Sequence, residues 1–289
     1  MAEVLKELRE EIRKVERSSS NLVKLLAQFE KLSTNPGENA YKMDDVVNRI
    51  VKIGADYRVE GVPPKLKAWT DGAVAEVSTL KERFKHEFGR RLQALLRSRG
   101  FELRGRYPDL KVKFYTIRID FPKGVASLAF GHELIKGKIP LSPEEITKAL
   151  EQATRRLNRP FDPPKFIDRL YEAYWRVCRI RELPSGERAP IIEVLQQFVL
   201  LSQPPQFRAD PAKEHYRGYG RAHFGYDLYR LRCSGARAKE NQTVGLVTAT
   251  FDATRRQENF VWVPDNERGD GTTYSLIFFK RNRPGGFPA

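Results

Sequence analysis

Eight positions near the start of the chain, Leu5, Leu8, Ile12, Val15, Ser19, Leu22, Leu26 and Phe29, recur at alternating intervals of three and four residues. An α-helix sets such positions along one line, because its 3.6 residues per turn stay close to the 3.5-residue average of the pattern. The spacing predicts a coiled-coil helix over residues 3–32, roughly 45 Å long at about 1.5 Å per residue. Ser18, Ser19 and Ser20 put a polar residue into the seam, which either specifies register or breaks the helix into a hairpin. The flanking charges, such as Lys6, Glu7, Glu10 and Arg13, are mixed in sign, as exposed positions should be. A seam one helix wide has to be covered, either by the helices that follow or by a second chain. Leu5, Leu8, Ile12, Val15, Leu22, Leu26 and Phe29 are therefore the expected contacts with a protein partner or with another copy of the chain.

Beyond this arm the pattern changes several times. Asn35-Pro36-Gly37 ends the first helix, Val46, Val47, Ile50 and Val51 mark a short second one over 43–53, and Gly61-Val-Pro-Pro64 makes a rigid connector. Residues 1–54 read as a helical arm and 55–72 as a linker. Val77, Leu80, Phe84, Phe88, Leu92 and Leu95 give an amphipathic helix over 73–99, stopped by Gly100. The period then shortens to two, and 101–104, 112–121 and 125–130 read as strands, with Pro122-Lys123-Gly124 turning between the last two. Ser142 followed by Pro143 caps a helix to Leu157. Residues 73–160 thus form a helix, three-strand, helix unit.

Two more helices, over 164–181 and 190–202, precede strands at 244–251, 259–264 and 273–280, read as an antiparallel meander with a glycine-rich loop at 266–271. Pro284 to Ala289 reads as a frayed end. Residues 161–289 are the third segment, and the fold class is α+β.

Charge is the strongest clue to function. The chain carries 52 Lys and Arg against 37 Asp and Glu, a formal net of +15, over 289 residues. Residues 1–50 hold nine basic and nine acidic side chains, so the arm contributes none of it. From Lys81 to Lys123, thirteen cations face five carboxylates, a net of +8 in 43 residues. A second cluster, Gln203 to Lys239, interleaves Arg208, Lys213, Arg217, Arg221, Arg230, Arg232, Arg237 and Lys239 with Phe207, Tyr216, Tyr219, Phe224, Tyr226 and Tyr229. Clustered cations displace the counterions condensed on a phosphate backbone, and flat rings stack on unpaired bases. The expected nucleic-acid contacts are Lys81, Lys85, Arg90, Arg91, Arg97, Arg99, Arg104, Arg106, Lys111, Lys113, Arg217 and Arg221. The competing reading of the same residues is a solvated helix face beside core aromatics.

Catalytic and metal chemistry is sparsely signalled. Restriction-endonuclease-like nucleases hold Mg²⁺ between two carboxylates near a lysine. Glu87, Asp109, Asp120 and Lys123 offer those groups, but Asp120 and Lys123 lie three apart with Pro122 between them, which a turn explains equally well. His215, His223, Asp227 and Cys233 match no compact zinc spacing. Two cysteines, Cys178 and Cys233, suit a reducing compartment as half-buried thiols. The stretch Tyr219 to Leu231 reads as a polar network in which Asp227 pairs with Arg221 or Arg230 and braces helices against the meander.

Hydrophobic residues at 40% suffice for a core without metal or disulfide staples, and no run of 18 apolar residues exists. The expectation is a cytoplasmic protein with no membrane contact, cofactor or metal. It reads as a non-catalytic nucleic-acid-binding accessory subunit of a multi-component bacterial assembly, DNA before RNA, docked through its N-terminal helix. The alternatives are the Mg-dependent nuclease and a scaffold whose basic surface meets an acidic partner.

Overall fold

The computed structural model describes residues 2–184, 186–237 and 242–281. Lys239 and the stretch from Pro284 to Ala289 therefore lie outside the described residues. Two compact units share the chain: residues up to Leu95 with Asp120–Gly124, and Leu96–Ile119 with the residues from Val125 onward. The change of unit falls inside one helix, and not in the expected linker at 55–72.

The N-terminal unit is helical. Helices α1 (Ala2–Leu32) and α2 (Pro36–Asp56) are followed by α3 (Pro63–Ser98), which runs on into the second unit. Pro36 does more than end α1: it occupies the first turn of α2, where its missing N–H costs nothing. Pro63 opens α3 in the same way, so residues 63–72, read as linker, are helix and only 57–62 connect. Leu22, Leu25, Val46, Ile50, Tyr57 and Leu66 form one buried cluster, joined by Leu26, Phe29 and Trp69. A second holds Met43, Val47, Ala73 and Val77. The hairpin tip Asp120–Gly124 belongs here because Phe121 stacks on Tyr41 at 5.4 Å and meets Phe84 and Phe88 edge-on.

The second unit contains two antiparallel sheets. The first has five strands in sequential order: β1 (Arg104–Arg106), β2 (Asp109–Val112), β3 (Tyr115–Asp120), β4 (Val125–Phe130) and β5 (Glu133–Pro140). Three strands were expected. The long strand read over 112–121 breaks at Lys113-Phe114, where Lys113 takes a φ of 48° and closes a two-residue turn with no glycine or asparagine to announce it. Residues 101–103 are not strand, and β5 escaped notice because its exposure does not alternate cleanly. Helix α4 (Pro143–Leu157) has the expected Ser142 cap and buries Ile146, Leu150, Ala153 and Leu157.

Helices α5 (Pro163–Ile180), α6 (Ile191–Leu201), the short α7 (Pro205–Ala209) and α8 (Arg221–Ser234) follow. A four-stranded sheet comprises β6 (Ala189–Pro190), β7 (Gln242–Thr248), β8 (Val261–Pro264) and β9 (Gly271–Arg281), with a one-turn α9 (Phe251–Thr254) after β7. It is not the expected meander. Strand β9 lies in the centre, with β7 along one edge and β8 and β6 both paired to β9 itself. Burying β9 between neighbours explains why Ile277 and Phe279 are core residues beside Tyr174, Phe198 and Phe224. Helix α8 crosses β8 so closely that a Cβ on Gly225 would stand 2.2 Å from the Trp262 carbonyl oxygen.

Candidate nucleic-acid interface

Period-two geometry sorts the first sheet into two faces. Leu110, Val112, Tyr115, Ile117 and Ile119 are buried on one. The register pairs Arg104 with Lys111 and Lys111 with Thr116, and pairs Arg106 with Asp109 and Asp109 with Arg118. Directly paired residues share a face, so Arg104, Arg106, Lys111 and Arg118 stand together on the open side, all exposed, around one carboxylate. Asp109 is bound in a two-point ion pair by Arg118, at 2.7 and 3.2 Å. Arg104 pairs with Glu102 in the preceding loop. Lys113 in the turn lies over the Phe101 ring at 5.8 Å. Arg118 was not among the expected residues because the turn at 113–114 was hidden, and with it the alternation that puts Arg118 on the same face as Arg106.

The sequence cluster from Lys81 to Lys123 is divided between the units. In the N-terminal one, α3 carries Lys81, bonded to Asp44 at 2.8 Å, and Lys85, bonded to Glu82 at 2.7 Å. Arg90 and Arg91 are exposed on the same helix. In the second unit Arg97 and Arg99 are exposed, and Arg99 reaches Glu151 at 3.6 Å.

Two of the three carboxylates of the nuclease reading, Asp109 and Asp120, are engaged in ion pairs. Asp120 accepts from the Lys123 ammonium at 2.8 Å and the Lys123 N–H at 3.1 Å, and these bonds hold its carboxyl below the usual range. Asp109 is taken by Arg118. Glu87 lines a shallow groove along one stripe of α3 with Glu82, Arg83, His86 and Arg90. Among the described residues no group of three or more His, Cys, Asp or Glu side chains gathers where it could hold a metal ion.

The aromatic cluster is largely interior. Phe224 is fully buried, Tyr226 and Tyr229 each meet Phe114 at 5.3 Å, and Tyr216 is the exposed ring, edge-on to Phe207. Buried Asp227 is the hub of a network: Tyr219 donates to it at 2.8 Å, Arg159 at 3.1 Å, and Arg230 bonds it from one turn further along α8. Arg230 is thus the expected partner; Arg221 instead pairs with Glu133 at 2.8 Å. Burial next to Asp227 pushes the Tyr219 hydroxyl far up, and burial beside Arg159 lowers His223. The remote Arg159 carried no local signal in the sequence. Of the thiols, Cys178 is buried and Cys233 exposed, where both were read as half-buried.

The seam of α1 is covered over only half its length. Leu22 is buried and Leu26 and Phe29 pack against α2 and α3, whereas Leu5, Leu8, Ile12 and Val15 remain 45–59% exposed. Among the described residues no helix is long and apolar enough to cross a membrane. No protein-family model matches the chain, and neither does any curated protein or solved structure.

Proposed function

We propose that the protein binds nucleic acid, DNA in preference to RNA, through the open face of the five-stranded sheet. It acts as a non-catalytic accessory subunit that docks to a protein partner or to its own copy through the uncovered half of α1. The observation that supports this reading is the row of Arg104, Arg106, Lys111 and Arg118 on one face, backed by an apolar face that fixes which way they point. The four cations outnumber the two carboxylates paired with them, Asp109 and Glu102, which leaves a surplus of positive charge on a regular lattice, with strands about 4.8 Å apart. Such a surface gains free energy by releasing the counterions of a polyphosphate and carries little sequence information.

Fluorescence anisotropy of labelled duplex DNA, single-stranded DNA and RNA across a salt series tests it. Four phosphate contacts give a slope of about −3 to −4 in log K against log salt. Reversal of Arg104, Arg106 and Lys111 to Glu should weaken duplex binding more than tenfold with only a small drop in thermal stability, because all three side chains are exposed and the losses opposite Glu102 and Asp109 are those of surface charges. No binding at low salt would end the proposal, and unchanged affinity in the reversed protein would remove the sheet from it.

A further inference from the structure

Three cavities meet at the loop Arg217–Arg221, and Tyr219 lines all of them. The one between the start of α5, the end of α6 and this loop has a volume of about 220 Å³. That is room for about seven waters at about 30 Å³ each, enough for a tetrahedral anion with part of its organic group. Its wall is of two kinds. Phe161, Phe166, Phe198 and Tyr219 give an aromatic side; Arg159, Lys165, Arg169 and Arg217 give a cationic one, against Asp162 and Asp227.

Both carboxylates are already committed. Asp227 holds Arg159, Arg230 and the Tyr219 hydroxyl, while Asp162 caps α5 and pairs with Lys165 at 2.9 Å. Arg169 makes only a long 3.4 Å bond to the Ser202 hydroxyl, and among the described residues neither Arg169 nor Arg217 is held in an ion pair. The backbone of Arg217 is nevertheless fixed. Buried Gln203 accepts its N–H at 2.8 Å and donates to its carbonyl at 3.2 Å, with a further bond to the Val199 carbonyl. Arg217, on its pinned backbone, and Arg169 both line this half-enclosed cavity, and guanidinium groups suit a doubly charged oxyanion because their planar forks can grip it at two points.

We propose that this cavity binds a phosphomonoester, its phosphate between Arg169 and Arg217 and its organic group against the aromatic wall. The ligand is either a free nucleotide or the phosphorylated end of a strand, which share this chemistry. None of the lining residues belongs to the basic sheet face, so the two sites can fail separately.

Calorimetric titration of the whole chain with adenosine monophosphate, adenosine and succinate provides the test. The monophosphate should bind at least tenfold more tightly than either of the others, including to the protein reversed at Arg104, Arg106 and Lys111. The exposed pair changed together, Arg169→Gln and Arg217→Gln, should lose at least tenfold in monophosphate affinity with no change in thermal unfolding. A 5′-phosphorylated oligonucleotide that outcompetes its 5′-hydroxyl twin on the sheet-reversed protein identifies a strand end as the source; equal competition leaves the free nucleotide. Monophosphate binding no tighter than adenosine or succinate, or unaltered in the double variant, overturns the proposal.

Discussion

Asp227 is a buried charge on which distant parts of the second unit converge. Its side chain is 4% exposed, and two guanidinium groups and a phenol meet on it. Arg230 also donates to the Arg159 carbonyl at 2.8 Å and lies 4.2 Å over the Phe161 ring, so one carboxylate orders both arginines against aromatic faces. Removing one partner from a buried charge cluster is costlier than the cluster's net worth, because it strands the others without compensation. Asp227→Ala should therefore destabilise the second unit by about 3–5 kcal/mol. Urea unfolding followed by far-UV circular dichroism measures this, and a loss below about 1 kcal/mol would show that water replaces the carboxylate without difficulty. The sequence offered Arg221 or Arg230 as the partner of Asp227, and only the helix α8, which puts Arg230 one turn from Asp227, decides for Arg230. Arg159, 68 residues away, was not offered.

Helix α1 makes the corresponding point at the scale of an element. Its heptad is regular from Leu5 to Phe29, yet the first half faces solvent and the second half is core. Identical pattern therefore gives different energetics. Leu22→Ala, at a buried position touching the α2 and α3 cluster, should cost about 3 kcal/mol, the sum of lost transfer energy and a cavity. Leu8→Ala, at a position 52% exposed, should stay within about 0.5 kcal/mol. Denaturant melts of the two variants check this contrast, and equal losses would mean that the first half of the seam is buried in solution by another chain. Helix α8 illustrates the reverse failure. It packs against α4, α5 and β8 at once and buries Ala222, Phe224, Asp227, Leu228 and Leu231 around most of its girth. A helix enclosed on several sides has no one-sided apolar stripe to betray it, and Gly225, required by the close approach to Trp262, weakens the signal further.

Over the whole molecule, the two compact units do not follow the order of the chain. The N-terminal unit includes the tip Asp120–Gly124, and Phe121 closes its aromatic cluster with Tyr41, Phe84 and Phe88. Phe121→Ala should therefore destabilise the helical N-terminal unit by about 3 kcal/mol, although it lies in a β-turn far along the sequence. Hydrogen exchange of amides in α2 and α3 reads this out, and protection unchanged there would show that the cluster contributes little. The helical arm, the capped α4, strands β4 and β8 and the place of most of the charge were determined by the sequence alone. Each depends on local periodicity, a cap or simple counting, which neighbours in the chain supply. Tertiary structure alone decided that β9 is central, that half of the seam is covered, that the Lys81 to Lys123 cations divide between two units, and that Arg104, Arg106, Lys111 and Arg118 share a face. Those outcomes depend on which distant strands pair and in what register, and a one-residue slip would turn every side chain of a strand to the opposite face.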